Sequence, residues 1–305
     1  MPRTTPEAPT ATRRALAVIT DLDGCLLDAR SFSFAPARRT LRRLRRRAVP
    51  LVLCTSKTRA EVRALFAALG SRHLAIVEDG AAILVPPGVA PRVLLPGARR
   101  TGDGRLLALA APYPVIRKVF RVVQRRTHGA AVGLGDLSHA AFAARTGLPP
   151  AAARRAAQRE FDEPFLFLAQ ESRWADVARG TARRLGLVVT RGGRFYHLHG
   201  ATDKGRAVGR VRAILEACFG PLTVVALGDS PLDAAFLAKA EMPIIVPRPD
   251  GRPDPALRRR VPRARIAPAP GPAGWASAVE TVLREVGRQP RGASRRRRSA
   301  GAKGA

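Results

Sequence analysis

Four short polar clusters in this chain combine carboxylates, hydroxyls and a lysine in ways that suit the transfer of a phosphoryl group. Asp21-Leu-Asp23-Gly24 sets two carboxylates two residues apart. Such a pair can share a metal ion and a phosphoryl group, one acid attacking phosphorus while the other protonates the leaving oxygen. Thr55-Ser56-Lys57 offers a hydroxyl and backbone N–H groups that can hold phosphate oxygens, with a helix start behind them that favours an anion. The same residues would also serve as an ordinary helix cap. Asp203-Lys204-Gly205 opens a helix with a lysine where the helix dipole prefers acids, which an anion to be neutralised would explain. Gly228-Asp229-Ser230-Pro231-Leu232-Asp233 supplies a glycine for a tight exit and two carboxylates whose hard oxygens suit Mg²⁺.

Each cluster follows a predicted strand or opens a predicted helix. Leu16–Ile19, Leu51–Cys54, Leu74–Val77 and Leu222–Leu227 are short apolar runs of the kind that form strands buried on both faces. Between them lie amphipathic helical patterns: Leu41, Leu44 and Ala48 on one face amid seven arginines, then Val62, Leu65, Phe66 and Leu69 stopped by Gly70. Alternating strands and helices predict a parallel α/β sheet of Rossmann-like build, whose functional groups collect at the carboxyl ends of its strands. The pattern changes in a Pro/Gly-rich stretch from Pro86 to Gly104. Beyond it come helices near 116–123, 150–159 and within 171–185, a strand at 165–168, and strands Leu187–Thr190 and Arg194–Leu198 around an Arg191-Gly-Gly193 turn. The reading is a core of 15–95 and 196–286, interrupted by an inserted α/β domain at 96–195, with a flexible N-terminus at 1–14 and a helix at 273–286.

The chain resembles the haloacid-dehalogenase-like phosphatases, and among them the mannosyl-3-phosphoglycerate phosphatase family. The general motifs are Asp21-Leu-Asp-Gly24, Thr55, Lys204 and Gly228-Asp229 with Asp233; the more specific ones are Thr55–Val62, Arg159-Glu-Phe-Asp-Glu-Pro-Phe165 and Gly192-Gly-Arg-Phe-Tyr-His-Leu-His199. The resemblance implies a phosphoric monoester hydrolase with Asp21 as nucleophile and Asp23 as general acid and base. It implies that Thr55, with Ser56 and Lys57, holds the phosphoryl group and that Lys204 steadies the nucleophile. It also implies Mg²⁺ held by Asp21, the backbone carbonyl of Asp23 and Asp229, with Asp233 in support. The 96–195 insertion would then be a cap that selects the substrate, with Arg194 as a clamp for a glycerate carboxylate. Mannosyl and glucosyl substrates are not separated by the sequence, and a related phosphatase for another small phosphorylated metabolite stays open. Three positions depart from the family pattern: Cys25 in place of Thr, Asp79 in place of Asn, and Leu232 in place of an Asn that commonly orients the site.

Composition bounds the remaining possibilities. The 305 residues suffice for one large domain or two modest ones. Three cysteines, which cannot all pair within one chain and lack zinc-like spacing, argue against a disulfide framework and for a reducing compartment. The longest charge-free run, Ile266 to Val279, is broken by prolines and glycines, and no signal core is visible, so a soluble cytoplasmic protein is expected. The formal charge of +31 is spread along the chain apart from Gly287–Ala305, which carries seven basic residues and no acid and is expected to stay disordered. That charge keeps a rival open, a nucleic-acid-binding protein on a degenerate phosphatase scaffold, but a dispersed excess does not itself mark a groove. His197 and His199 share one face of a predicted strand, and with no acidic partner close in sequence they read as structural. Trp174, Trp275 and Cys218 read as packing residues.

Overall fold

The computed structural model describes residues 14–91, 94–192 and 194–288. The arginine-rich tail beyond Arg288 and residues 1–13 lie outside the described residues.

A nine-stranded sheet organises the larger part of the chain. Its strands are β1 (Ala15–Thr20), β2 (Leu51–Cys54), β3 (Leu74–Val77), β4 (Ala82–Val85), β5 (Arg99–Thr101), β6 (Gly104–Ala108), and, late in the chain, β11 (Leu222–Gly228), β12 (Met242–Ile245) and β13 (Arg265–Ile266). The order is β13-β12-β11-β1-β2-β3-β4-β6-β5. Every pairing from β13 to β3 is parallel, and β4, β6 and β5 add an antiparallel edge. The chain steps outward from β1 to β3 and later returns to β11 on the other flank of β1, which creates a topological switch point beside β1.

Alternate side chains of these strands enter two separate cores. Val18, Leu51 and Leu53 pack with helices α1 (Arg38–Arg46) and α2 (Arg59–Leu69) and with Trp275 and Val279 of the final helix. Ala17, Ile19, Val52 and Cys54 face the opposite way, against Ala207, Val211 and Ile214 of the helix that begins at Lys204. Both faces of the sheet are thus covered, as a parallel sheet requires. The α2 helix is fixed at its start by a capping box between Thr58 and Glu61. Thr58, not Thr55 or Ser56, does the capping.

A second sheet is built from β7 (Ala131–Gly133), β8 (Asp162–Phe167), β9 (Leu187–Gly192) and β10 (Phe195–Gly200), antiparallel throughout in the order β7-β8-β10-β9. Helices α3 (Tyr113–Arg126) and α6 (Glu171–Arg184) cover it through Ile116, Phe120, Val123, Ala175 and Ala178, packed on Phe165 and Leu198. Helices α4 (His139–Thr146) and α5 (Pro150–Ala156) form a satellite cluster with Phe195 alongside. Within 99–108, β6 pairs with β4 and β5 with β6, so both belong to the large sheet, while residues 196–200 complete the small one. The seam therefore runs near 109–112 and 200–203. Helix α7 (Lys204–Phe219) resumes the large layer, followed by α8 (Ala234–Leu237), α9 (Pro255–Arg260) and α10 (Gly271–Arg288).

Candidate active site

The parallel pairing of β1 with β11 continues one residue past the strand, where the Asp21 N–H donates to the Leu227 carbonyl at 2.9 Å. This places Asp21 and the Gly228–Asp233 loop side by side at the carboxyl edge. Gly24 has φ +78°, and a Cβ there would lie 2.5 Å from Asp229 Oδ2, so only glycine lets the first loop close on the last. On the other side of β1, Thr55 receives the Asp79 N–H on its carbonyl at 3.0 Å and takes the Lys57 N–H on its hydroxyl oxygen at 3.1 Å. Its own hydroxyl proton is not needed as a cap.

Lys204 is the centre of the arrangement. Asp203 caps α7 by accepting the Arg206 N–H at 2.8 Å, which sets Lys204 in the first helical position with its side chain buried. Its Nζ donates to Asp21 Oδ1 at 2.7 Å and to Asp233 Oδ1 at 2.8 Å, with Asp79 Oδ1 at 3.8 Å. Burial alone would favour a neutral amine, but Asp21, Asp233 and Asp79 outweigh it and raise the Lys204 pKa. Burial raises the Asp21 pKa well above the usual carboxylate range, against the pull of Lys204, and the charges of Asp233 and Asp229 add to the rise. Burial, then the Asp233 charge, pushes Asp229 up to about 7.

Carboxylate oxygens of Asp21, Asp229 and Asp233 all lie within 4.8 Å of one another. Three crowded acids served by one lysine lack positive charge, and an all-oxygen donor set matches a hard divalent cation. These residues fit the metal that the resemblance implies.

The remaining sequence-chosen residues divide. Asp23 is partly exposed and receives the Lys57 ammonium at 2.8 Å, so Lys57 is engaged with this carboxylate and stacked on the Phe32 ring. The Ser56 carbonyl accepts from Arg159 Nη1 at 2.9 Å. Arg194 is exposed, donates to the Thr146 carbonyl at 2.7 Å and lies over the Phe195 ring. Cys25 is buried with its Sγ 3.6 Å from Thr20 Oγ1, a packing position. Leu232 is half exposed. Sequence reasoning gave no role to Arg159 and Asp162, which the small sheet brings to the seam, or to Glu78 beneath them, and it read His197 as structural. Arg159 and Asp162 stand in one of the quoted motifs, so a signal existed without a role attached. A hollow of ≈ 550 Å³ lined by Leu41, Leu44, Leu74 and Phe219 sits at the amino-terminal edge of the sheet and shares no residue with the carboxylate cluster.

A parallel sheet with a carboxylate pair after its first strand, a buried lysine, and a second acidic loop beside them defines a phosphohydrolase of the haloacid dehalogenase type. The sequence profile of the haloacid dehalogenase-like hydrolases matches residues 18–88. A glucosyl-3-phosphoglycerate/mannosyl-3-phosphoglycerate phosphatase of Methanococcoides burtonii is 34% identical over 266 residues, covering 87% of this chain and 96% of the relative. One of the same description from Persephonella marina is 34% identical over 278 residues, covering 90% and 99%. Among solved structures, a haloalkanoate-superfamily phosphatase from Bacteroides thetaiotaomicron superposes with a TM-score of 0.61 at 15% identity, covering 93% of this chain and 99% of the other. A subclass IIB sugar phosphatase gives 0.59 at 12% identity, with 89% and 99% covered. The chain belongs to the haloacid dehalogenase-like hydrolases and, within them, to the glucosyl-3-phosphoglycerate/mannosyl-3-phosphoglycerate phosphatase family.

Proposed function

We propose that this phosphatase removes phosphate from glucosyl-3-phosphoglycerate or mannosyl-3-phosphoglycerate, leaving the glycosylglycerate, through an aspartyl-phosphate on Asp21. The observation that carries the mechanism is the Lys204 ammonium held between Asp21 and Asp233, 2.7 and 2.8 Å away, with Asp229 beside them. The substrate reading rests on the two relatives that align over most of their length.

Asp21 Oδ1 is taken by Lys204, so its other oxygen attacks phosphorus. As that bond forms, the ester P–O bond breaks and the leaving oxygen takes a proton from Asp23. Water then attacks the phosphorus of the aspartyl-phosphate, gives its proton to Asp23, and the P–O bond to Asp21 breaks, restoring both carboxyl groups. Lys204 and the Thr55 hydroxyl hold phosphoryl oxygens through both steps. Mg²⁺ bound by Asp21, the Asp23 carbonyl and Asp229, with Asp233 in support, would supply positive charge against the charge on the transferring group. Lys57 keeps Asp23 in place. The segment carrying the small sheet acts as the cap over this edge. Among the described residues no helix is long and apolar enough to cross a membrane.

The test is phosphate release from both glycosyl-phosphoglycerates and from a panel of small phosphate esters, with Mg²⁺ and with excess EDTA. Turnover of at least one glycosyl-phosphoglycerate, lost in EDTA and regained with Mg²⁺, is expected. Hydrolysis unaffected by EDTA would overturn the metal assignment, and turnover confined to other esters would overturn the substrate.

A further inference from the structure

The small sheet brings a cation of its own to the seam. His197 Nδ1 on β10 lies 2.8 Å from Asp162 Oδ2 on β8. Arg159 Nη1 is 3.4 Å from the same oxygen and 2.9 Å from the Ser56 carbonyl, so this group touches the loop that follows β2. The neighbouring His199 is satisfied differently, by Thr190 Oγ1 and the Gly200 carbonyl. The two histidines that share a strand face therefore have different tasks.

The second ring nitrogen of His197 has no protein hydrogen bond among the described residues. A Cβ placed on Gly192 would lie 3.4 Å from this Nε2 and 3.9 Å from Leu232 Cδ1. Nε2 thus looks into the gap between the β9–β10 hairpin and the loop that holds Asp229 and Asp233. Burial disfavours the imidazolium, but Asp162 outweighs burial, with Asp79 helping and Arg159 opposing, and the ring titrates above its ordinary value. Asp162 is correspondingly held below the usual carboxylate range, His197 and Arg159 outweighing its burial. A charged ring with Nδ1–H given to Asp162 has Nε2–H left to donate.

We propose that His197, oriented by Asp162 across the β8–β10 pair, is a specificity residue that donates Nε2–H to the carboxylate of the substrate's glycerate part. The proposal rests on the substrate reading above. A phosphoglycerate ester carries two anionic groups. The phosphoryl group belongs beside Asp21, Thr55 and Lys204, and a second cation farther out, on the cap side of Leu232, matches the carboxylate. A Cβ at position 192 would already make van der Waals contact with the ring, so the approach to Nε2 passes beside Gly192. Arg159 ties the imidazole–carboxylate pair to Ser56, so carboxylate and phosphate recognition share one frame.

The test compares wild type, His197→Gln and Asp162→Asn on a glycosyl-3-phosphoglycerate and on two small esters, 3-phosphoglycerate and glycerol 3-phosphate, which lacks the carboxylate. His197→Gln should raise KM for the carboxylate-bearing esters roughly tenfold or more, as loss of a charge-assisted hydrogen bond predicts, with kcat little changed and glycerol 3-phosphate unaffected. Asp162→Asn should move KM the same way. A second measurement uses wild type alone: competitive inhibition by glycerate should weaken as pH rises through the titration of His197, while glycerol should inhibit poorly at every pH. Equal losses for esters with and without the carboxylate, or glycerate inhibiting no better than glycerol, would overturn the assignment to His197. A wild type that cleaves neither glycosyl-phosphoglycerate would instead count against the substrate reading.

Discussion

Asp233 Oδ1 accepts the Lys204 ammonium at 2.8 Å, and the Asp233 side chain has no solvent exposure at all. Its other oxygen gathers the N–H groups of Asp229 and Ser230 at 3.1 and 3.0 Å and the Ser230 hydroxyl at 3.1 Å. One carboxylate therefore fixes the lysine and shapes the loop that presents Asp229. With most of its acceptor capacity committed in this way, Asp233 is a brace for the site before it is a ligand.

Asp233→Ala should accordingly cost both stability and activity. Lys204 would keep Asp21 at 2.7 Å, but the N–H groups of Asp229 and Ser230 would lose their acceptor and the loop its brace, a loss of ~1–3 kcal/mol for each buried donor left unpaired. Urea melting should show this fall, and phosphate release should drop with it. A variant that melts like wild type would show that the loop is held by other contacts.

Asp21→Asn separates chemistry from folding. An amide cannot accept the phosphoryl group, so turnover should fall by ~10⁴-fold or more. Lys204 keeps Asp233 at 2.8 Å and Asp79 at 3.8 Å, and a carboxylate raised by burial and crowding is lost, so the thermal midpoint should stay near wild type. Residual turnover of a few per cent in purified protein would remove Asp21 from the role of nucleophile.

Asp229→Ala tests the metal without relying on turnover. A cation that binds only the folded state raises the melting temperature by mass action. Wild type should melt higher as Mg²⁺ is added, and the variant should show no such rise. A metal-dependent rise that persists in Asp229→Ala would place the ion elsewhere.

The parts of this site that lie at strand ends were legible in the sequence, because a buried parallel strand is an uninterrupted apolar run and Asp21, Thr55 and Asp229 follow such runs directly. Lys204 was visible as a residue misplaced for the helix dipole. The strands β4 to β6 escaped because they flank and lie within a Pro/Gly-rich stretch and form an antiparallel edge. Helix α4 is short and alanine-rich, with little apolar periodicity. His197 was read as structural for want of an acidic neighbour, yet its partner lies 35 residues earlier and arrives only through the pairing of β8 with β10. Periodicity reports which face a residue occupies and is silent on what a distant strand sets opposite it.

Gly80→Ala should damage the site from a distance. Gly80 has φ +100°, and a Cβ there would lie 2.3 Å from the carbonyl carbon and oxygen of Asp203 and 2.8 Å from the Lys204 nitrogen. These are backbone atoms that cannot rotate away, so the start of α7 must move and carry Lys204 with it. Strain at such a position costs ~1–3 kcal/mol. Melting should fall by that order and kcat should fall together with it, while a variant that loses stability alone would mean that α7 holds its place.

Glu78 gives the fold a pH dependence whose sign can be worked out. It is 3% exposed, and its carboxylate accepts the backbone N–H groups of Glu160 at 3.0 Å and Phe161 at 2.9 Å, joining the large sheet to the entry of the small one. Burial pushes its pKa up from 4.5 to about 7, with Asp162 adding to the rise while Arg159 and the two N–H donors oppose it. The folded state therefore holds this proton more tightly than the unfolded chain does. Its contribution to stability is fully present below pH ~4.5 and is lost as pH rises through about 7, a change of up to ~3 kcal/mol. Glu78→Gln keeps an acceptor oxygen for the two N–H groups but cannot titrate. Urea melts of both proteins at intervals from pH 4.5 to 8 should show wild type losing stability relative to the variant across that window. Parallel curves would mean that Glu78 is ionised throughout, its charge supported by Arg159 and the two N–H donors despite burial.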